Sequence, residues 1–135
     1  MSKMIRYCVL SMIAAAAIML AGGCGASQPA GHAAIGKVTY KGKPVPRGSI
    51  LLSPDSSKGH TGPAISASIV DGMFDSSQAK QRLTSGAYRV RINGFDGNAQ
   101  PDRELPLGQQ MFAEYTTTIE VTDDNAGDLM IEVKP

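Results

Sequence analysis

Hydrophobic and polar positions change rhythm twice along this chain of 135 residues. Lys3 and Arg6 come first, and then an uncharged, largely apolar run from Tyr7 to Leu20 contains four consecutive alanines, Ala14 to Ala17. The stretch from Gly25 to Ala34 has small, uncharged residues and no period. From Gly36 onward apolar side chains recur at every second position, the spacing of strands with one buried face. Val38 and Tyr40 point one way while Lys37, Thr39 and Lys41 point the other. Ser49 to Ser53, with Ile50 and Leu52 on one face, reads as a second strand, and Ile65, Ala67 and Ile69 mark a third. Tyr88, Val90 and Ile92 alternate with Arg89 and Arg91, so burying the first three leaves both arginines in water. Tyr115 to Val121 and Leu129 to Val133 close the series.

Turn formers stand between these runs: Gly42-Lys43-Pro44, Pro54-Asp55, Asp71-Gly72, Ser85-Gly86 and Asp124-Asn125-Ala126-Gly127. Asp71-Gly72, placed between Ile69-Val70 and Met73-Phe74, predicts a two-residue hairpin. No segment after the apolar leader carries helical periodicity. The expected fold class is all-β: an antiparallel β-sandwich of about seven strands, preceded by a helical signal peptide and a flexible tether.

The leader has the three parts of a secretory signal: a basic start, an apolar middle and small residues at its end, Ala21-Gly22-Gly23. Leu20-Ala21-Gly22-Gly23-Cys24 resembles the lipobox of bacterial lipoproteins, although Leu20 lies four residues before the cysteine where that family prefers three. The resemblance implies cleavage before Cys24 and lipidation of its thiol. The competing reading is an uncleaved signal anchor, since the apolar run to Ala26 is about long enough to span a bilayer. Gly25 after the cysteine, in place of an aspartate, leans towards the outer membrane where that sorting rule operates. Cys8 falls in the leader, so Cys24 is left as the single cysteine and an internal disulfide is excluded after cleavage.

Three segments are expected: 1–23 as lipoprotein signal peptide, 24–34 as lipidated cysteine and flexible tether, and 35–135 as the sandwich. No core residue is expected before Ile35. Two of the thirteen basic side chains, Lys3 and Arg6, lie in the leader, which leaves eleven against twelve acidic ones. A near-neutral body without tryptophan argues against nucleic acid as a partner and weakens any stacking platform.

Gly36-Lys37-Val38-Thr39-Tyr40-Lys41-Gly42-Lys43-Pro44-Val45 resembles the opening of carboxypeptidase regulatory-like domains, which have a transthyretin-like, or prealbumin-like, sandwich. Gly48 to Pro54, Asp71-Gly72-Met73-Phe74 and Gly86 to Ile92 continue that pattern in order. Tyr115 to Val121 with Asp128 to Val133 resembles the last two strands of small lipoproteins abundant in planctomycetes. The resemblance implies a non-catalytic domain.

Little else carries chemistry. His32 lies in the expected tether and His60 in a Ser/Gly-rich loop, without cysteines or carboxylates at metal-ligand spacing. Asp96-Gly97-Asn98-Ala99-Gln100-Pro101-Asp102 places oxygen ligands at alternate positions as calcium sites do, but lacks the glycine and the bidentate glutamate of an EF-hand. Asp123, Asp124 and Asp128 read as an acidic turn, and Tyr88 as a core tyrosine with its hydroxyl satisfied at a corner. Lys37, Lys41, Lys43 and Arg47 are expected near the tether and read first as an exposed strand face, with contact to anionic headgroups as the alternative. The 93–112 connection and the Asp55-to-Pro63 loop are the places to look for a binding surface.

The reading is a membrane-anchored envelope lipoprotein, exported and facing the periplasm or exterior, with a structural or partner-binding role. No enzyme activity, cofactor or metal is expected. Its partners are membrane lipid, through acylated Cys24, and an envelope protein or glycan. The alternative is a module binding carbohydrate, a small molecule or calcium within a larger envelope system.

Overall fold

The structure, a computed structural model, describes residues 30–135. The signal segment 1–23, Cys24 and most of the expected tether lie outside the described residues. Eight strands follow in order: β1 (Ile35–Tyr40), β2 (Lys43–Pro44), β3 (Arg47–Pro54), β4 (Ile65–Val70), β5 (Met73–Asp75), β6 (Gly86–Phe95), β7 (Tyr115–Val121) and β8 (Leu129–Val133). Two short 3-10 turns, Ser56–Lys58 and Pro101–Arg103, interrupt the loops. Among the described residues no helix is long and apolar enough to cross a membrane.

The strands form one hydrogen-bonded path, β2-β1-β5-β4-β3-β6-β7, with β8 on the other side of β1. This sheet curls until its two ends, β7 and β8, flank a common cleft lined by Ile119, Glu120, Leu129 and Ile131. The result is the expected all-β, sandwich-like body. Its pairing is antiparallel except at β1–β8, which run parallel from Gly36↔Leu129 to Tyr40↔Val133. Period-two alternation shows which face of a strand is buried and says nothing about the direction of its neighbour, so that pair was not foreseeable.

Alternation succeeds where one face meets the core. Val38, Ile50, Leu52, Phe74, Val90 and Ile92 are all buried. In β6 the arginines face out and Tyr88, Val90 and Ile92 face in. Tyr88 is buried while its hydroxyl accepts a hydrogen bond from the Thr84 backbone N–H at 3.1 Å, the expected corner arrangement.

Both tight hairpins have two residues at positive φ, as primed turns require: Asp71 (51°) with Gly72 (77°), and Lys41 (51°) with Gly42 (74°). The second turn therefore lies one residue earlier than the Gly-Lys-Pro cluster suggests. Lys43 and Pro44 are paired with Tyr40 and Thr39. Pro44 is tolerated because β2 is a short edge strand. Gly36 serves a different need: a Cβ there would collide with the Leu129 carbonyl and the Phe74 ring.

The folded body begins before Ile35. Ala34 is wholly buried, and its N–H and C=O bond to Ser76 Oγ (2.8 Å) and Ser76 N (2.9 Å). His32 exchanges two 2.8 Å backbone bonds with Leu83, and Ile35 N donates to Ala126 O at 3.1 Å. The expectation that residues up to 34 are mere tether is thus corrected. A small side chain fits where three segments converge, and smallness alone reads as linker in a sequence.

Candidate functional site

Because β1 runs from the strap at Gly31–Ala34 towards Tyr40, the body has two distinct ends, separated by about 17 Å along that strand. The strap end collects both histidines and Asp123 of the acidic turn. Ser85 Oγ donates to Asp123 Oδ1 at 2.7 Å, and His32 Nε2 lies 3.2 Å from the same oxygen. The Asp123 carboxyl is held below the usual carboxylate range, first by the Ser85 hydroxyl and then by His32. The carboxylate stands between hydroxyl and imidazole. A nucleophilic serine needs the imidazole in the middle, so this grouping orients the strap and does not activate Ser85.

On the same end His60 lies over Gly86, where a Cβ would strike its ring, and meets the Tyr88 ring edge-on at 4.8 Å between centroids. His60 Nε2 is 3.5 Å from Thr84 Oγ1, the long limit of a hydrogen bond. Nearby, the buried Asp55 caps the 3-10 turn Ser56–Lys58. Its Oδ1 accepts from the Ser57 hydroxyl at 2.6 Å and from Ser57 N at 3.1 Å, with Arg89 Nη2 at 3.8 Å. The Ser57 hydroxyl is the main cause holding the Asp55 carboxyl below its ordinary value, and Arg89 adds to it. His32 and His60 both meet one segment, Leu83–Gly86: His32 through Leu83, and His60 through Thr84 and Gly86. Among the described residues no three histidine, cysteine or acidic side chains gather as a metal group.

The far end holds the long connection. It folds back as an irregular hairpin, with backbone bonds from Asp96 N to Gln109 O (2.9 Å), Gly97 N to Leu107 O (3.0 Å) and Gln100 N to Leu105 O (2.8 Å). Asp96, first residue of the calcium-like string, spends Oδ1 on the N–H groups of Asn98 (2.9 Å) and Gln109 (3.0 Å). These bonds, Asn98 foremost, lower its carboxyl below the usual range. The carboxylate is a brace for the loop.

The returning limb delivers Phe112 onto the bare backbone of Gly94, where a Cβ would collide with the ring. Phe112 meets Tyr40 at 4.9 Å between centroids, and Lys41 Nζ lies 5.2 Å over the Tyr40 ring. Tyr40, Phe112 and Tyr115 line a cleft of about 390 Å³ with Glu114, Val133 and Lys134. Glu114 Oε1 lies 3.8 Å from Arg91 Nη1. Sequence reading pointed to the 93–112 connection that supplies Phe112 but not to this cleft, since its aromatic residues come from β1, a loop and β7, and nothing in their spacing links them.

The basic cluster is divided by the fold. Lys37 is on mid-β1, but Lys41 and Lys43 flank the far β1–β2 turn, and Arg47 pairs with Phe95 and Val70 at that same end. The expected grouping beside the tether is corrected accordingly: the strand carries these charges away from it. Arg47 Nη1 lies 3.4 Å from Asp71 Oδ1.

Fold and site together define a small all-β body with a braced polar end and an aromatic far end. Comparisons with protein-family models, curated proteins and solved structures returned no match to this chain.

Proposed function

We propose that this chain is an exported lipoprotein, lipidated on Cys24, whose β-body serves a non-catalytic, partner-binding role in the cell envelope. The observation that carries this reading is the position of the body: it starts at Gly31, seven residues after Cys24, and contains no cysteine of its own. A lone cysteine after a secretory leader then acts as an attachment point. The resemblance of Gly36–Val45 to carboxypeptidase regulatory-like domains supports the same view, because such modules carry no catalytic machinery themselves. Two or more acyl chains make the attachment stable where one is marginal.

Mass spectrometry of the mature N-terminus tests this, with a lipid-modified Cys24 as the expected first residue. A Cys24→Ala chain that still fractionates with membranes, uncleaved, overturns it in favour of a signal anchor.

A second reading, a ligand-binding module, draws support from the Tyr40–Phe112–Tyr115 cleft at the end remote from the anchor. Saturable thermal stabilisation by neutral oligosaccharides or by calcium is its test, since a ligand of the native state raises the melting temperature by mass action.

A further inference from the structure

Strand register assembles a surface that no stretch of sequence displays. Val70 is paired with Met73, Met73 with Lys37, and Lys37 with Met130. Paired residues project from the same side of a sheet, so these four side chains form one row across β4, β5, β1 and β8, about 14 Å wide. All four point to solvent. Val70 is 47% exposed, Met73 55% and Met130 66%. Among the described residues the one further exposed large apolar side chain, Leu107, is less open than any of these, at 41%.

The row has the chemistry of a headgroup boundary. Two long, adaptable methionines flank a lysine whose stem is apolar and whose ammonium extends outward. Lys41 and Lys43 stand beyond the far end of β1, while the carboxylates sharing the face, Asp75 and Glu132, pair across it with Ile35 and Thr39. Asp75 accepts from Ser77 N at 2.7 Å, which keeps its carboxylate charged, while Arg47, paired with Val70, extends the row with a second cation besides Lys37. Three apolar side chains fall far short of the roughly 800 Å² per partner of a stable protein interface. They suffice to orient a body whose affinity comes from an anchor. That anchor is close: β1, which carries Lys37, is the strand the chain enters from Cys24. The seven residues from Cys24 to Gly31 reach at most about 25 Å, so the row never leaves the neighbourhood of the bilayer.

We propose that the Val70–Met73–Lys37–Met130 row is a membrane-resting face that lies on an anionic lipid surface while Cys24 holds the chain there. This rests on the lipid-anchor reading, and the experiment separates the two. The full lipidated chain is reconstituted in vesicles of phosphatidylcholine with phosphatidylglycerol, its flotation with the vesicles is recorded, and methionine oxidation by dilute peroxide is followed by peptide mass spectrometry. Exposure alone makes Met73 and Met130 react faster than the half-buried Met111. On vesicles the order is expected to invert, with Met73 and Met130 slowed at least about threefold relative to Met111. Lys37→Glu, which sets a carboxylate against lipid phosphate, is expected to restore the order given by exposure. A chain that floats with the order unchanged overturns the face and leaves the anchor standing. Inversion that persists in Lys37→Glu assigns the protection to general crowding at the bilayer and likewise overturns the face. A chain that does not float refutes the anchor and this face with it.

Discussion

The hydroxyl of Tyr88 and the backbone N–H of Thr84 meet at 3.1 Å across the corner that leads into β6. The ring belongs to the core, yet its tip fixes the path of the segment that also receives His32, His60 and Asp123. Tyr88→Phe keeps the packing and leaves that N–H without its acceptor. A loss of about 1–2 kcal/mol is expected in urea unfolding, with the β-sheet signal of the native state unchanged.

Gly36 offers a second probe. Gly36→Ala forces a methyl against the Leu129 carbonyl and the Phe74 ring, where β1, β5 and β8 are all backbone-bonded. Overpacking of this kind typically costs about 1–3 kcal/mol. At Gly42 nothing lies near the added methyl, and only the positive φ of 74° opposes it. Chemical denaturation of the two variants is expected to rank Gly36→Ala as the more damaging.

The strap gives a truncation boundary. Removing residues 25–30 is expected to leave the melting temperature nearly unchanged. Ala34→Glu buries an unpaired charge among Ser76, Leu83 and Ala126 and is expected to cost several kcal/mol or prevent folding. Circular dichroism melts distinguish the two directly.

Acid stability follows from four aspartates, Asp55, Asp75, Asp96 and Asp123, whose carboxyls are all held below their ordinary value of 3.8. The folded state favours their charged forms, so this contribution is fully present above the unfolded value and is lost as pH falls through the lower folded values. Urea midpoints are therefore expected to be flat above about pH 5 and to drop below about pH 4. Asp55→Asn removes one such carboxylate, and its midpoint is expected to fall less steeply over the same acid range.

How legible this was in the sequence differs from element to element. β6 and β7 were readable because Tyr88, Val90 and Ile92, or Tyr115, Thr117 and Ile119, each place one face on the core. The Asp71-Gly72 hairpin was readable because both residue types favour positive φ, whereas Lys41 in the matching turn gave no such signal. Ala34 was not, since nothing in a small residue announces convergence of three distant segments. Nor was the methionine row, whose members are neighbours only through the register of four strands. The Asp96 string illustrates the opposite error: residue types suited to a cation are equally suited to accepting a loop's own N–H groups. Cys24 lies before the described residues, and its reading rests on the sequence around it.

The parallel pairing of β1 with β8 has a kinetic consequence. Gly36 and Leu129 are rungs of the same ladder although ninety-three residues separate them along the chain. β1 completes its pairing only when β8 arrives, so this ladder is among the most non-local contacts of the described residues. Such contacts slow folding, because the entropy of closing the loop is lost before the ladder forms. Until Leu129 to Val133 is available, β1 lacks that neighbour and one end of the curled sheet is missing. A polypeptide wired in this way finishes its sheet only with β8.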